Sequence, residues 1–286
     1  MNYQNPKIPE GINVSDEHPL KEFSILLIGV SAGLAIMVAI LFYLAGFLVQ
    51  FIPFTAEQNL AKDINLVFSY KDEADPENSE NTQQIQEYLQ QLADQLSIAQ
   101  QLPKDMKITV HYIDDDTVNA FATIGGHIFM HRGLIEKLSS ENALAMVLSH
   151  EIAHIKQRHP IIALGRGLTI TLALAALTGF GDNGMVTQVA NNLSLITVLA
   201  YNRGQETEAD EIAFTTLKQH YQHTNGATEL FTVLASASPI NAPEILSTHP
   251  LSEERIKHLQ SLQNKKDESS ALTPLPEIFS HLKKSE

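Results

Sequence analysis

The stretch LSHEIAHIKQRH, residues 148–159, places His150 and His154 four positions apart, with Glu151 directly after the first. Side chains four apart on a helix share a face, so both imidazoles can reach one divalent cation, as in an H-E-x-x-H site. Glu151 lies one step round the helix. From there a carboxylate can take a proton from a metal-held water, while the metal brings that water's pKa toward ~7 and polarises a carbonyl. The predicted chemistry is hydrolysis with Glu151 as base. A catalytic zinc keeps three protein ligands and one open position, so a third ligand must come from elsewhere. YNRGQETEADEIA, residues 201–213, offers it. Glu206 and Asp210 share a face of a predicted helix while Glu208 points roughly away, which makes Glu206 the expected ligand and Asp210 the support of a histidine ring. His159 falls five residues past the second ligand and off its face. With His131, His220, His223 and His258 it is read as lying outside the site.

These residues need elements to hold them. Ser139 and Ser140 can cap a helix that starts near 141, carries the motif and stops at Pro160. Ile85, Leu89, Leu92, Leu96 and Leu102 recur at helical spacing and predict an amphipathic helix over 82–102. In MKITVHYIDDD, the alternation of Ile108, Val110 and Tyr112 with Thr109 and His111 predicts a strand. Residues 117–138 present two short apolar runs about Gly125-Gly126, a hairpin signal, then a turn at Gly133 into a helix. A strand carrying Asn119, Phe121 and Ala122 beside the motif helix could pair its backbone with an extended substrate. In STHPLSEERI, His249 and Arg255 could donate to a developing oxyanion, or His249 could close the zinc site as a fourth ligand. Further helices are expected after Gly204, over about 227–236 and after Pro250, and the tail beyond 264 is read as polar and loose.

With 286 residues, 44% of them hydrophobic, the chain can bury a core. A net charge of −14 and no dense basic block argue against nucleic acid as a partner. The absence of cysteine excludes disulfides, thiolate zinc sites and cysteine nucleophiles. Residues 23–56 contain no Asp, Glu, Lys or Arg, whereas about 20 apolar residues suffice to cross the hydrocarbon core as a helix. We expect a tail over 1–22, an uncleaved single-pass anchor over 23–54, a linker over 55–81, a catalytic domain over 82–264 and a flexible tail over 265–286. Lys7 and Lys21 before the anchor match Lys62 and Lys71 after it, so charge leaves the orientation open. Residues 161–180 are long enough to suggest a second span, but Arg166 and nearby glycines interrupt them and Leu168–Phe180 is only 13 residues, so they read as a core or membrane-facing helix.

Four blocks, NAFATIGGHIFMHRGLI, LSHEIAHIKQRH, ETEAD and STHPLSEERI, occur in an order that resembles the HtpX-like and BepA-like membrane-associated zinc peptidases, relatives of the CAAX prenyl endopeptidases and mitochondrial Oma-type proteases. They span residues 117–256. The resemblance implies a gluzincin fold of the α+β class, mainly helical, with a small β-sheet beside the H-E-x-x-H helix and one transmembrane helix before it. It implies one zinc per chain on His150, His154 and Glu206, with Glu151 as base and Asp210 in the family's aspartate position. His127 departs from the pattern, where an aromatic residue often follows the glycine pair. By the same resemblance the substrates are misfolded or misassembled envelope proteins, met in protein quality control. The catalytic domain is expected on the periplasmic side of a bacterial inner membrane. The alternative is a chaperone or assembly factor that binds unfolded chains in the same cleft and cuts little.

Overall fold

The computed structural model of the chain describes residues 19–48, 51–64, 79–178, 201–235, 243–250, 253–263, 270–280 and 282. At its centre is a helix that meets protein on every side: α5 (Glu141–Lys156), buried continuously from Asn142 to Ile155. Its start is fixed by Ser140, whose Oγ accepts the Ala143 N–H at 3.2 Å, a standard N-cap exchange. Helix α3 (Ser79–Ala99) lays the stripe Ile85, Leu89, Leu92 and Leu96 against the same core, as its spacing predicts. From the other side, α7 (Arg203–Tyr221) adds Ala213, Phe214 and Leu217.

The sheet has three strands in the order β1-β3-β2: β1 (Thr109–Ile113), β2 (Ala120–Thr123) and β3 (His127–His131). β2 and β3 form the expected hairpin, with Phe121 opposite Phe129, and β1 runs parallel to β3. The hairpin turns through a 3-10 segment, Ile124–Gly126, where Gly125 and Gly126 take φ of 80° and 91°. A side chain at Gly126 would also meet the Lys107 carbonyl at 2.1 Å, so both left-handed backbone and close approach require glycine there. β2 is an edge strand lying against α5.

Several boundaries differ from the sequence expectation for identifiable reasons. The motif helix ends at Lys156, before Pro160. Arg158 adopts φ of 61°, reversing the chain into α6 (His159–Thr178), whose first turn contains Pro160. A proline costs nothing there, because the first helical N–H groups have no intrahelical partner. Helix α7 begins one residue before Gly204, since Asn202 and Gln205 form a reciprocal capping box. The stretch assigned to a linker opens with α2 (Phe54–Ile64), which buries Phe54, Glu57 and Ala61. The tail expected to be loose returns to the domain over 270–280: Pro274 bridges Ser140, and Phe279 is buried edge-on to Tyr88. The rest of that linker from 65 to 78, and residues 179–200, lie outside the described residues.

The remaining helices are α1 (Pro19–Leu48), α4 (Arg132–Ile135), α8 (Glu229–Ala235), α9 (Ile245–Thr248) and α10 (Glu253–Leu262). Helix α1 is 30 residues long, holds an 18-residue window with a mean hydropathy of 2.8 and buries none of its residues. Its length and composition suffice to cross a membrane.

Candidate metal centre

Helix α5 presents His150 and His154 one turn apart, and α7 presents Glu206 in its first turn, where the helix dipole favours a carboxylate. His249, at the end of α9, completes a group of four buried residues whose ligand atoms all lie within 4.8 Å of one another. The two motif histidines are set alike. His150 Nδ1 lies 3.0 Å from Asp210 Oδ1, and His154 Nδ1 lies 2.9 Å from His159 Nδ1. In each case Nε2 is left facing the group, the two Nε2 atoms being 2.9 Å apart. His154 Nε2 is 3.5 Å from Glu206 Oε1, and His249 Nδ1 is 3.1 Å from the same oxygen.

The donor set fits zinc. Imidazole nitrogen and carboxylate oxygen are among its preferred ligands, and structural support of the other imidazole nitrogen is what a metal-ligating histidine requires. Glu151 is 1% exposed, and its Oε2 has no hydrogen-bond partner among the described residues, so a buried carboxylate oxygen is left beside the four donors.

Electrostatics reinforce the arrangement. Burial opposes charge on His150, but the Asp210 and Glu206 carboxylates outweigh it and push its pKa up to about 10. Burial pushes His154 down, helped by the charge of His150, and burial likewise lowers His159 to about 4. For Glu206 and Asp210 burial works against ionisation. Charge from His249 and hydrogen bonding to His150 nevertheless hold Glu206 down, and hydrogen bonds from His150 and Arg255 do the same for Asp210. Glu151 is raised by burial, which its neighbours His249 and His150 only partly offset.

The expected site residues are placed unequally. Asp210 supports His150 as expected. Arg255, expected to donate to an oxyanion, is committed to α7: its Nε and Nη2 donate to Asp210 at 2.8 and 2.9 Å, and Nη1 lies 2.7 Å from Glu206 Oε2. Ala122 reaches the site through its backbone, whose carbonyl accepts the Tyr201 hydroxyl at 3.3 Å. Phe121 instead stacks on Phe129 with ring centroids 5.0 Å apart, and Asn119 is buried with its amide unpartnered among the described residues. Beside Glu151 and His249 lies a small cavity of about 20 Å³ with an apolar wall of Met146, Val147, Leu230, Phe231 and Ile245.

Two residues at the centre escaped the sequence reading. His159 is buried against His154, because the reversal at Arg158 folds it back onto the helix it follows. The clue was Pro160, which marks a helix start as readily as a stop. Tyr201 stacks on His154 with ring centroids 3.9 Å apart, and directly precedes the Asn202 cap in the block already singled out for Glu206.

A family model described as peptidase family M48 matches residues 79–263. The mitochondrial metalloendopeptidase OMA1 of Schizosaccharomyces pombe is 34% identical over 160 residues, covering 54% of this chain and 47% of that protein. A putative beta-barrel assembly-enhancing protease of Vibrio cholerae is 32% identical over 183 residues, 60% of this chain and 38% of that protein. The metalloprotease YcaL of Escherichia coli is 28% identical over 152 residues, 52% of this chain and 59% of that protein. The match thus spans less than two thirds of the length of each of these relatives.

Proposed function

The chain belongs to peptidase family M48, and from that premise we propose that it is a membrane-anchored zinc-dependent endopeptidase acting on unfolded or misassembled proteins of the bacterial envelope. The observation that carries this reading is the buried group His150, His154, Glu206 and His249 with Glu151 beside it and an apolar cavity opening from it. His150, His154 and Glu206 are the proposed ligands, one zinc per chain. Bound there, zinc supplies Lewis acidity, activating water and polarising the scissile carbonyl.

The protein groups divide the remaining work. Glu151 takes the proton of the attacking water and later delivers it to the leaving amine. The apolar wall of Met146, Val147, Leu230 and Phe231 offers a surface for a substrate side chain next to the bond to be cut. The substrate backbone lies along the edge of β2, where the Ala122 carbonyl accepts the Tyr201 hydroxyl. Asn119 and Phe121 hold that strand in place. Asp210 orients His150, and Arg255 acts as a positioning residue for Asp210 and Glu206. Residues 23–54 serve as the anchor and 82–264 as the catalytic domain, on the periplasmic face of the inner membrane by likeness to the bacterial relatives.

His249 favours a second reading. Its Nδ1 lies 3.1 Å from Glu206 and 3.3 Å from His150 Nε2, close enough to occupy the position that a catalytic zinc leaves open. In that state the protein binds clients as an assembly factor with latent proteolysis. Incubation of the purified full-length chain with an unfolded protein tests the main reading: cleavage disappears with a chelator and returns with added zinc. Cleavage that survives chelation rejects it, and client assembly rescued in full by Glu151→Gln favours the second reading.

A further inference from the structure

Helix α1 is exposed along most of its surface, with Ile28 at 68% and Ile40 at 58%, yet one stripe is half-buried: Leu34, Val38, Phe42, Ala45 and Gly46. That spacing follows one face of a helix, and the element packed against it is α6. A side chain at Gly165 would sit 3.5 Å from Ala45 Cβ, and one at Gly46 would sit 3.5 Å from Arg166 Nη2 and 3.8 Å from Ile162 Cγ2. The Arg166 guanidinium lies over the Phe42 ring at 5.0 Å. Positions rising along α6 thus meet positions falling along α1, and the two helices run antiparallel. Small residues at the crossing permit the close approach on which helix pairs in lipid depend.

Beyond Arg166, α6 leaves the domain with no charged residue before Asp182. Leu168 and Ile170 are 56% and 46% exposed although they point in different directions around the helix. Apolar side chains left exposed on two sides of a helix belong in hydrocarbon. The Thr169 hydroxyl is already satisfied by the Gly165 carbonyl at 3.0 Å, as an apolar surrounding demands. Arg166 marks the boundary. Its Nε is buried with no hydrogen-bond partner among the described residues, and it sits level with the end of the uncharged run of α1, where a lipid phosphate can receive it.

We propose that α6 is a second membrane-embedded helix, paired antiparallel with α1, and that the pair holds the metal centre at the headgroup surface of a phospholipid bilayer. The proposal rests on reading α1 as a membrane anchor. His159, bonded to His154, begins the same helix seven residues before Arg166, so the centre lies within about 10 Å of the headgroups along α6. Substrate chains are therefore taken at the membrane surface.

Because the chain has no cysteine, single positions can be labelled cleanly. The full-length variants Ile28→Cys, Leu168→Cys, Ile170→Cys and Lys257→Cys receive a bimane fluorophore and are reconstituted in nanodiscs of phosphatidylcholine and phosphatidylglycerol. Quenching by lipids spin-labelled on the acyl chain is then compared with quenching by aqueous iodide. The expected result is about tenfold preference for the lipid quencher at Leu168 and Ile170, matching Ile28, and the reverse at Lys257, which is exposed on α10. Iodide quenching at Leu168 and Ile170 with lipid quenching at Ile28 overturns the proposal while leaving the anchor intact. Protection of both α6 sites from both quenchers means protein covers them, and also overturns it. Iodide quenching at Ile28 removes the anchor reading itself.

Discussion

Each motif histidine turns Nε2 to the metal centre and has Nδ1 held from behind, His150 by Asp210 and His154 by His159. The second partnership is unusual in being imidazole to imidazole. It works because burial holds His159 at about 4, so at neutral pH it is uncharged and can share a proton with His154. Loss of such a partner typically costs 10–100-fold in metal affinity. His159→Ala should therefore weaken zinc binding by about that factor, measured by chelator competition, with an unchanged far-UV spectrum. Arg255→Lys should also weaken it, because a single ammonium cannot reproduce the fork that spans Asp210 and Glu206. The ligand pair was legible in the sequence because i, i+4 spacing is a local property, and Glu206 because it shares a helix start with Asp210. His159 and Tyr201 were not, since their places depend on a chain reversal and on a contact between segments more than 40 residues apart.

Helix α2 ties the end of the anchor to the site. Glu57, 2% exposed, accepts the Gly125 N–H at 3.0 Å and Arg158 Nε at 2.8 Å, joining the β2–β3 turn to the end of α5. Arg158 also lies over the Phe54 ring. Glu57→Gln leaves a single oxygen where two now accept from Gly125 and Arg158, and a loss of about 1–3 kcal/mol by urea unfolding is expected. The pH dependence has a definite sign. Burial raises the Glu57 pKa above its ordinary value of 4.5, so its contribution is full below that value and is lost as pH rises through the native one. The gap between wild type and Glu57→Gln should therefore narrow as pH rises above that ordinary value. Gly125→Ala places a methyl 2.5 Å from Ala61 Cβ on a backbone with φ of 80°, and should cost about 1–3 kcal/mol. Little of α2 could be read in advance, because FTAEQNLAKDI buries a glutamate where an apolar residue would have signalled a face. By contrast α3 and β1 followed from hydrophobic period, the β2–β3 hairpin from the glycine pair between two apolar runs, and α5 from its serine cap and its motif.

Across the whole molecule, the proposed ligands come from two elements, α5 and α7, with His249 at the end of α9 beside them, a group that only the folded chain brings together. A metal held this way binds the native state and not the unfolded one, so it adds stability in proportion to the logarithm of its concentration over Kd. Zinc at 1,000 times Kd should add about 4 kcal/mol, and chelation should lower Tm by about 10 °C in a scanning experiment. The membrane pair adds a second constraint, since α6 carries the lipid-facing surface and the second partner of the metal centre on one helix. The central claim remains that a carboxylate beside a buried zinc performs peptide hydrolysis. Its most direct test is the cleavage rate of an unfolded protein by wild type and Glu151→Gln, with bound zinc measured by mass spectrometry in both. We predict equal zinc, about one per chain, and a rate at least about 100-fold lower in the variant. Equal zinc with an undiminished rate would contradict the assignment of Glu151 and with it the proposed hydrolysis.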